Sequence, residues 1–182
     1  MKKINLITVV ALLSATFFFF SCGKEDSNQT SQKNEKVAIA KLTENNEIVH
    51  LFLQKDVKAL FSNAKPNSSK GNSDEELVFV EVVTNGENVE EAGLLYQIHD
   101  NGNNVTETSI SFVITYEDGI YYVQVGGVGK TTSCTTKDCA STGGCQPTYD
   151  SKCTPCNNGG ECTRTTTNVI SSVIEAVIGS LN

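Results

Sequence analysis

The chain has little positive charge along a long central stretch. It contains 14 lysine and arginine residues against 21 aspartate and glutamate residues, for a formal net charge of −7. Between Gly71 and Gly129 there is no lysine or arginine, whereas aspartate and glutamate together number eleven. Binding to nucleic acid depends on a basic surface. The composition therefore argues against a nucleic-acid partner and against docking flat on anionic headgroups, and it favours a solubilising acidic surface.

Patterns typical of catalytic sites are also scarce. There are only two histidines, His50 and His99, and each falls within a strand-like run. No Gly-x-Ser-x-Gly motif or comparable setting for a nucleophile occurs. The polar run Asp100–Asn104 lacks the glutamate that an EF-hand loop requires. We therefore predict no enzyme activity, cofactor or metal; the alternative is an enzyme with a dispersed site near His50 and His99.

One glycine-rich stretch directly precedes the cysteine-rich segment. Residues 126–132, Gly-Gly-Val-Gly-Lys-Thr-Thr, resemble the phosphate-binding loop of a variant P-loop ATPase family. The first glycine of the general pattern is replaced by Gln124, and the additional lysine of that family by Val125. Ser133 and Cys134 follow instead of the helix that such a loop requires. We expect no nucleotide, and interpret the glycines as a hinge between a sheet and a cysteine-rich module.

Long apolar runs are confined to the beginning of the chain. Two lysines precede an apolar stretch from Ile4 to Phe20, and Ser21 and Cys22 follow it. Positive charge, an apolar core and a small residue before the cut are the parts of a secretory signal peptide. Seventeen residues are short for a spanning helix, which needs about 20. We expect cleavage before Cys22; an uncleaved membrane anchor is the alternative.

The segment Phe19-Phe20-Ser21-Cys22 resembles the end of bacterial lipoprotein signal peptides. Lys24, Glu25 and Asp26 after that cysteine are similar to the surface-export signal of Bacteroidota lipoproteins. The resemblance implies a diacylglyceryl thioether and an N-acyl chain on Cys22. It also implies anchoring in the outer membrane with the folded part facing the exterior; a periplasm-facing envelope accessory lipoprotein is the alternative.

Six of the seven cysteines lie close together near the end of the chain. An even, clustered number in an exported chain indicates a disulfide framework, for which 15 pairings exist. Metal binding is the alternative, although only Cys153 and Cys156 show the short spacing of paired ligands. Those two residues also resemble the redox motif of thioredoxin-like proteins, but a turn sequence follows them instead of a helix. The six predicted disulfide cysteines are Cys134, Cys139, Cys145, Cys153, Cys156 and Cys162.

The remaining pattern predicts an α+β fold. It combines a small antiparallel sheet, a C-terminal amphipathic helix and a disulfide-rich appendage. Turn sequences at Asn85-Gly86, Asp100–Asn104 and Asp118-Gly119 separate the later strands. The predicted strands are residues 37–42, 48–53, 77–84, 94–99, 109–116 and 120–125, with a short helix at 54–64.

The last residues have the clearest helical period. Val169, Val173 and Val177, with their apolar neighbours, share one half of a helical wheel, and Thr167 or Asn168 is the expected cap. The expected divisions are a signal peptide (1–21), a lipidated tether (22–36), a sheet domain (37–128), a cysteine-rich module (129–166) and this helix (167–182). We expect a lipid-anchored, non-enzymatic binding or structural module whose ligand the sequence does not identify.

Overall fold

The computed structural model describes residues 35–63, 74–86, 88–139, 143–168 and 171–182. These residues form antiparallel strands and two helices. The helices are α1 (Gln54–Asn63) and α2 (Ser172–Gly179). The strands are β1 (Lys36–Leu42), β2 (Ile48–His50), β3 (Glu75–Asn85), β4 (Asn88–Asp100), β5 (Val105–Ser111), β6 (Ile114–Glu117), β7 (Ile120–Gln124), β8 (Thr131–Thr136) and β9 (Thr163–Thr167).

The strands are arranged in two sheets. The first has the order β2-β1-β7-β6 and the second the order β3-β4-β5-β8-β9. Strands β3, β4 and β5 form a meander, as the short polar links predict. The predicted α+β class, with antiparallel strands, a C-terminal helix and disulfides near the end of the chain, is confirmed. The division into two sheets is an addition to it.

The division depends on a break in one predicted strand. Residues 109–116 alternate in polarity and were expected to be continuous, but β5 ends at Ser111 and β6 begins at Ile114. The backbone N–H of Phe112 donates to the carbonyl of Lys130 at 2.9 Å. Ser111 pairs with Thr131 in the second sheet, whereas Ile114 pairs with Val123 in the first. The chain crosses between the sheets here, so one alternating pattern supplies two strands.

Turn chemistry behaves as the sequence predicts. Asp118 and Gly119 have φ values of 50° and 80° and close the hairpin between β6 and β7. Asn104 has a φ of 51° between β4 and β5, and Gly86 a φ of 59°. Asparagine, aspartate and glycine tolerate this left-handed region better than other residues do. These links therefore fix the antiparallel neighbours.

The main core receives side chains from both sheets and both helices. Tyr121 of β7 and Leu94 of β4 are fully buried, and Val57 of α1 and Val177 of α2 lie in the same cluster. The apolar halves of the two helices therefore cover the sheets and exclude water from them. The apolar half of the C-terminal helix is thus buried in the protein's own core.

The start of the C-terminal helix differs from the prediction. Thr167 belongs to β9, and the helix begins only at Ser172. The capping residue is Ser171, whose hydroxyl accepts from the backbone N–H of Ile174 at 3.3 Å. Neither Thr167 nor Asn168 is the cap. The residues just before Asn168 form a strand because β9 pairs with β8. Helical periodicity in the sequence gives no sign of this pairing.

The cysteine-rich segment is joined to the second sheet at both ends. Strand β8 pairs with β5, and β9 pairs with β8. Gly129, expected to belong to a hinge, is buried against Val113, so no room is left there for a Cβ atom. This junction is packed.

Candidate functional site: a cleft beside the disulfide cluster

The six clustered cysteines form three disulfides. Their Cα–Cα distances are 5.7, 5.5 and 5.4 Å, within the usual range for this bond. In sequence order the first cysteine pairs with the fourth, the second with the fifth and the third with the sixth, so each bridged span overlaps the other two. The bridges are Cys134–Cys153, Cys139–Cys156 and Cys145–Cys162.

The cluster is built on strand β8. Cys134, within that strand, and Cys139, just after it, are both fully buried. Between them, the hydroxyl of Thr136 donates to the carbonyl of Glu161 at 2.8 Å and accepts from the N–H of Asp138 at 3.0 Å. Bridges and hydrogen bonds together give a segment with few apolar residues a fixed backbone.

This pairing separates the two cysteines of the redox-like motif. Cys153 is bonded to Cys134 and Cys156 to Cys139, so they do not form one dithiol pair. Among the described residues, no group of three or more histidine, cysteine or acidic side chains is placed to hold a metal ion. Each of the six predicted cysteines is bonded in a disulfide.

The loops between the bridges are held by their own polar groups. The carboxylate of Asp138 accepts from the backbone N–H of Glu161 at 2.8 Å. The side chain of Asn158 donates to the carbonyl of Asp138 at 3.2 Å. The side chains of Asp138 and Asn158 thus support the backbone of the loops.

A tight turn presents one aromatic residue from this segment. Pro147 and Cys153 form an isolated antiparallel bridge, and the N–H of Thr148 donates to the carbonyl of Lys152 at 2.9 Å. Arg164 of β9 donates to the carbonyl of Ser151 at 3.0 Å. Tyr149, at the tip of this turn, is thereby carried against the second sheet.

The Tyr149 ring meets an aromatic residue from the crossing between the sheets. Its centroid lies 5.6 Å from that of Phe112, with the ring planes tilted by 53°. This distance and tilt are typical of a favourable aromatic pair. Phe112 is held in turn by its backbone bond to Lys130.

These residues border an open cavity of about 430 Å³, which we call the cleft. Its size is within the range of small-molecule sites. One wall belongs to the sheets and the other to the turn that carries Tyr149. The cleft is lined by Glu90, Glu91, Ala92, Phe112, Ile114, Lys130, Tyr149 and Ser151.

A second cavity, of about 670 Å³, shares Glu91 and Tyr149 with the cleft. It extends past the turn towards the hairpin between β3 and β4. Glu91 accepts there from the side-chain amide of Asn85 at 2.5 Å. Its lining residues are Asn85, Glu91, Pro147, Thr148, Tyr149 and Asp150.

Burial and a nearby carboxylate both act on the phenol of Tyr149. Burial raises the pKa of the Tyr149 phenol to about 12, and the nearby Glu91 carboxylate adds to that rise. The phenol is therefore neutral at physiological pH. Its buried hydroxyl has no hydrogen-bond partner among the described residues. Tyr149 thus offers the cleft a neutral ring beside a carboxylate.

The two histidines lie elsewhere and apart from one another. His50, in the first sheet, accepts from the backbone N–H of Val82 at 2.9 Å. His99, near the end of β4 in the second sheet, has its Nδ1 2.9 Å from the hydroxyl of Thr106. Neither lines the cleft, so the structure does not join them into one site.

The acidic turn considered for calcium is held by local bonds. One carboxylate oxygen of Asp100 accepts from the backbone N–H groups of Gly102 and Asn103 at 3.0 and 3.1 Å. The Asn103 side chain donates to the other oxygen at 2.7 Å and, as the largest cause, lowers the pKa of Asp100. The carboxylate therefore caps the turn between β4 and β5.

Lys24, Glu25 and Asp26 of the expected export signal lie outside the described residues, as does the lipidation site Cys22. Within the described ranges no helix has the length and apolar character needed to cross a membrane.

The aromatic pair and the two glutamates are functional candidates that the sequence argument missed. The one available signal was composition, because Tyr149 is the only aromatic residue between Cys134 and Cys162. Nothing in the sequence shows that it meets Phe112. Comparison of the chain with models of protein families, with curated proteins and with solved structures gives no match.

Proposed function

We propose that this protein is an exported lipoprotein, anchored through Cys22 and displayed outside the outer membrane, whose folded part is a non-enzymatic binding module. The observation that carries the proposal is the cleft, since one of its walls is presented by a turn of the disulfide-bonded segment. Binding at the cleft is the role that this geometry supports best.

The disulfides support export. Disulfides form and persist in oxidising compartments and are rare in the cytosol. Here the three bridges cross-link a segment whose buried cluster consists of the cysteines themselves, so the bridges are the main packing within it. Together with the apolar leader, this favours a destination beyond the inner membrane.

The construction of the cleft supports binding. Tyr149 is fixed through the Pro147–Cys153 bridge and through Arg164, and Phe112 through Lys130. A site whose walls are already ordered loses less conformational entropy when a ligand enters. No histidine is among the described residues that line the cleft, and its two carboxylates, Glu90 and Glu91, are exposed at the rim. An ordered aromatic pair beside exposed carboxylates suits recognition of a ligand.

The anchoring and display are tested on intact cells. The wild-type chain is expected to incorporate labelled palmitate and to be cleaved by added protease. A Cys22→Ser variant should lose the label. Replacement of Lys24, Glu25 and Asp26 by alanine should preserve the label but protect the protein from protease. If the wild type is labelled and protected, display is wrong and the protein faces the periplasm; if it is not labelled, the anchor is wrong.

A further inference from the structure

The cleft combines an aromatic pair with an excess of carboxylates. Glu90 and Glu91 are both exposed at its rim, and Lys130 is the only cation among the described residues that line it. The sheet-derived residues of the lining come from 71–129, the stretch that lacks lysine and arginine. Carboxylates beside an aromatic face suit a cationic guest, which the ring attracts through its quadrupole.

Together, the cleft and the second cavity are longer than a single small chemical group would fill. It continues from Glu91 and Tyr149 past Pro147 and Thr148 towards Asn85. Asp150 at this end is already paired with Lys152 at 2.5 Å. Apart from Glu91, which it shares with the cleft, and the paired Asp150, the extension offers apolar and neutral polar contacts. An extended chain with one basic side chain matches this distribution.

We propose that the cleft binds an extended basic peptide, with one lysine or arginine side chain against Phe112 and Tyr149 and beside the carboxylates of Glu90 and Glu91. This inference rests on the proposed function, because it names the ligand of the same site. The second cavity receives the neighbouring peptide residues. Lys130 opposes the cation and limits the affinity.

The environment of Tyr149 agrees with this assignment. Burial is the main cause of the raised pKa of the phenol, and the field of the Glu91 carboxylate adds to it by disfavouring negative charge at the ring. The same field stabilises a positive group placed there. Since the phenol is neutral at physiological pH, the ring attracts the guest through its quadrupole, beside the glutamate carboxylates.

The test uses the full chain in detergent micelles, labelled with ¹³C at its five tyrosines. A Tyr149→Phe variant assigns the Tyr149 ring signals. The probe is the peptide acetyl-Gly-Arg-Gly-amide, and the matched control replaces arginine by citrulline, which has nearly the same shape but no charge. We expect the arginine peptide to move the Tyr149 signals in a saturable way that weakens with added salt, and the citrulline peptide to leave them in place.

Matched variants locate the interaction. Glu90→Gln should weaken binding by about twofold to fivefold, as expected for an exposed charge pair. Lys130→Gln should strengthen binding by a similar factor because it removes the opposing cation. Glu44→Gln makes the same charge change in the exposed turn between β1 and β2 and should have no effect.

Three results would overturn the inference. The Tyr149 signals could stay unchanged up to about 10 mM arginine peptide, a concentration that would reveal even weak binding. The citrulline peptide could move them equally, which would make the site one for neutral ligands. Glu44→Gln could weaken binding as much as Glu90→Gln, which would indicate attraction by net charge alone. The palmitate and protease experiments are independent of all three, so anchoring and display can stand when this ligand assignment fails.

Discussion

The imidazole of His50 accepts a hydrogen bond from the backbone N–H of Val82, with Nε2 2.9 Å from the nitrogen. This bond joins β2, at the edge of the first sheet, to β3 of the second. It requires a neutral imidazole, because a protonated ring has no free acceptor. The contact between the sheets at this point therefore depends on the protonation of one side chain.

Acid should weaken the fold through His50. Burial lowers the pKa of His50 from 6.5, and the Glu81 carboxylate offsets part of that effect. Below pH 6.5 the unfolded chain takes up this proton before the native state does, so the unfolded state gains stability as the pH falls. We expect the free energy of unfolding to be constant with respect to this group above its unfolded pKa and to decrease below it.

Urea denaturation across this pH window measures the effect. His50→Gln keeps an acceptor oxygen but cannot take up a proton, so its stability should depend less on pH. His50→Phe removes the acceptor and should cost about 1–3 kcal/mol at neutral pH, since the Val82 N–H loses its partner. His99→Gln is the matched control. The interpretation is wrong if His50→Gln keeps the full pH dependence.

Replacing Gly129 by alanine should destabilise the crossing between the sheets. A Cβ there would overlap Cγ1 of Val113, and Gly129 is buried. Overpacking of this kind costs about 1–3 kcal/mol. Val113→Ala removes the overlapping methyl group, so the double variant should recover part of the loss. A double-mutant cycle in chemical denaturation measures the coupling; strictly additive effects would contradict direct contact.

Removing one buried disulfide should lower stability without unfolding the main core. The Cys139–Cys156 bridge closes a separation of 17 residues, and loops of that size contribute about 2–4 kcal/mol. We expect a loss in that range for Cys139→Ala with Cys156→Ala, measured in guanidinium under non-reducing conditions. Fully reduced wild type is the comparison and should lose more. A double variant as stable as the wild type would mean that the other two bridges and the hydrogen bonds of Thr136 hold the segment without this bridge.

The start of the C-terminal helix can be tested at two adjacent serines. Ser171→Ala removes the hydroxyl that accepts from the Ile174 N–H and should cost about 0.5–2 kcal/mol. Ser172→Ala is the control, because Ser172 is exposed and belongs to the helix itself. Thermal unfolding compares the two. Equal losses would mean that the cap contributes little to the stability of α2.

Much of the local structure could be predicted from the sequence. Helix α1, strand β7 and the turn at Asp118-Gly119 follow from spacing and turn chemistry, which act over a few residues. Contacts between residues far apart in the sequence could not be predicted. Residues 109–116 alternate without interruption, and only the pairing of Ser111 with Thr131 and of Ile114 with Val123 shows that two sheets share them.

The cleft was beyond prediction for the same reason. Its aromatic pair brings together Phe112 and Tyr149, which are 37 positions apart (149 minus 112), and no periodic pattern connects them. The sequence shows six clustered cysteines, but six cysteines can pair in 15 ways, and the sequence does not distinguish among them. The pairing that exists places the turn with Tyr149 against the second sheet.

The sequence by itself determined the fold class, the turns, the clustering of six cysteines and the lack of basic residues between Gly71 and Gly129, because each depends on composition or on neighbouring residues. The tertiary structure decided which strands share a sheet, which cysteines bond and where carboxylates meet an aromatic pair. Those outcomes depend on packing between residues far apart in the chain. The stabilising free energy arises only when the two segments meet, so neither segment alone reveals it.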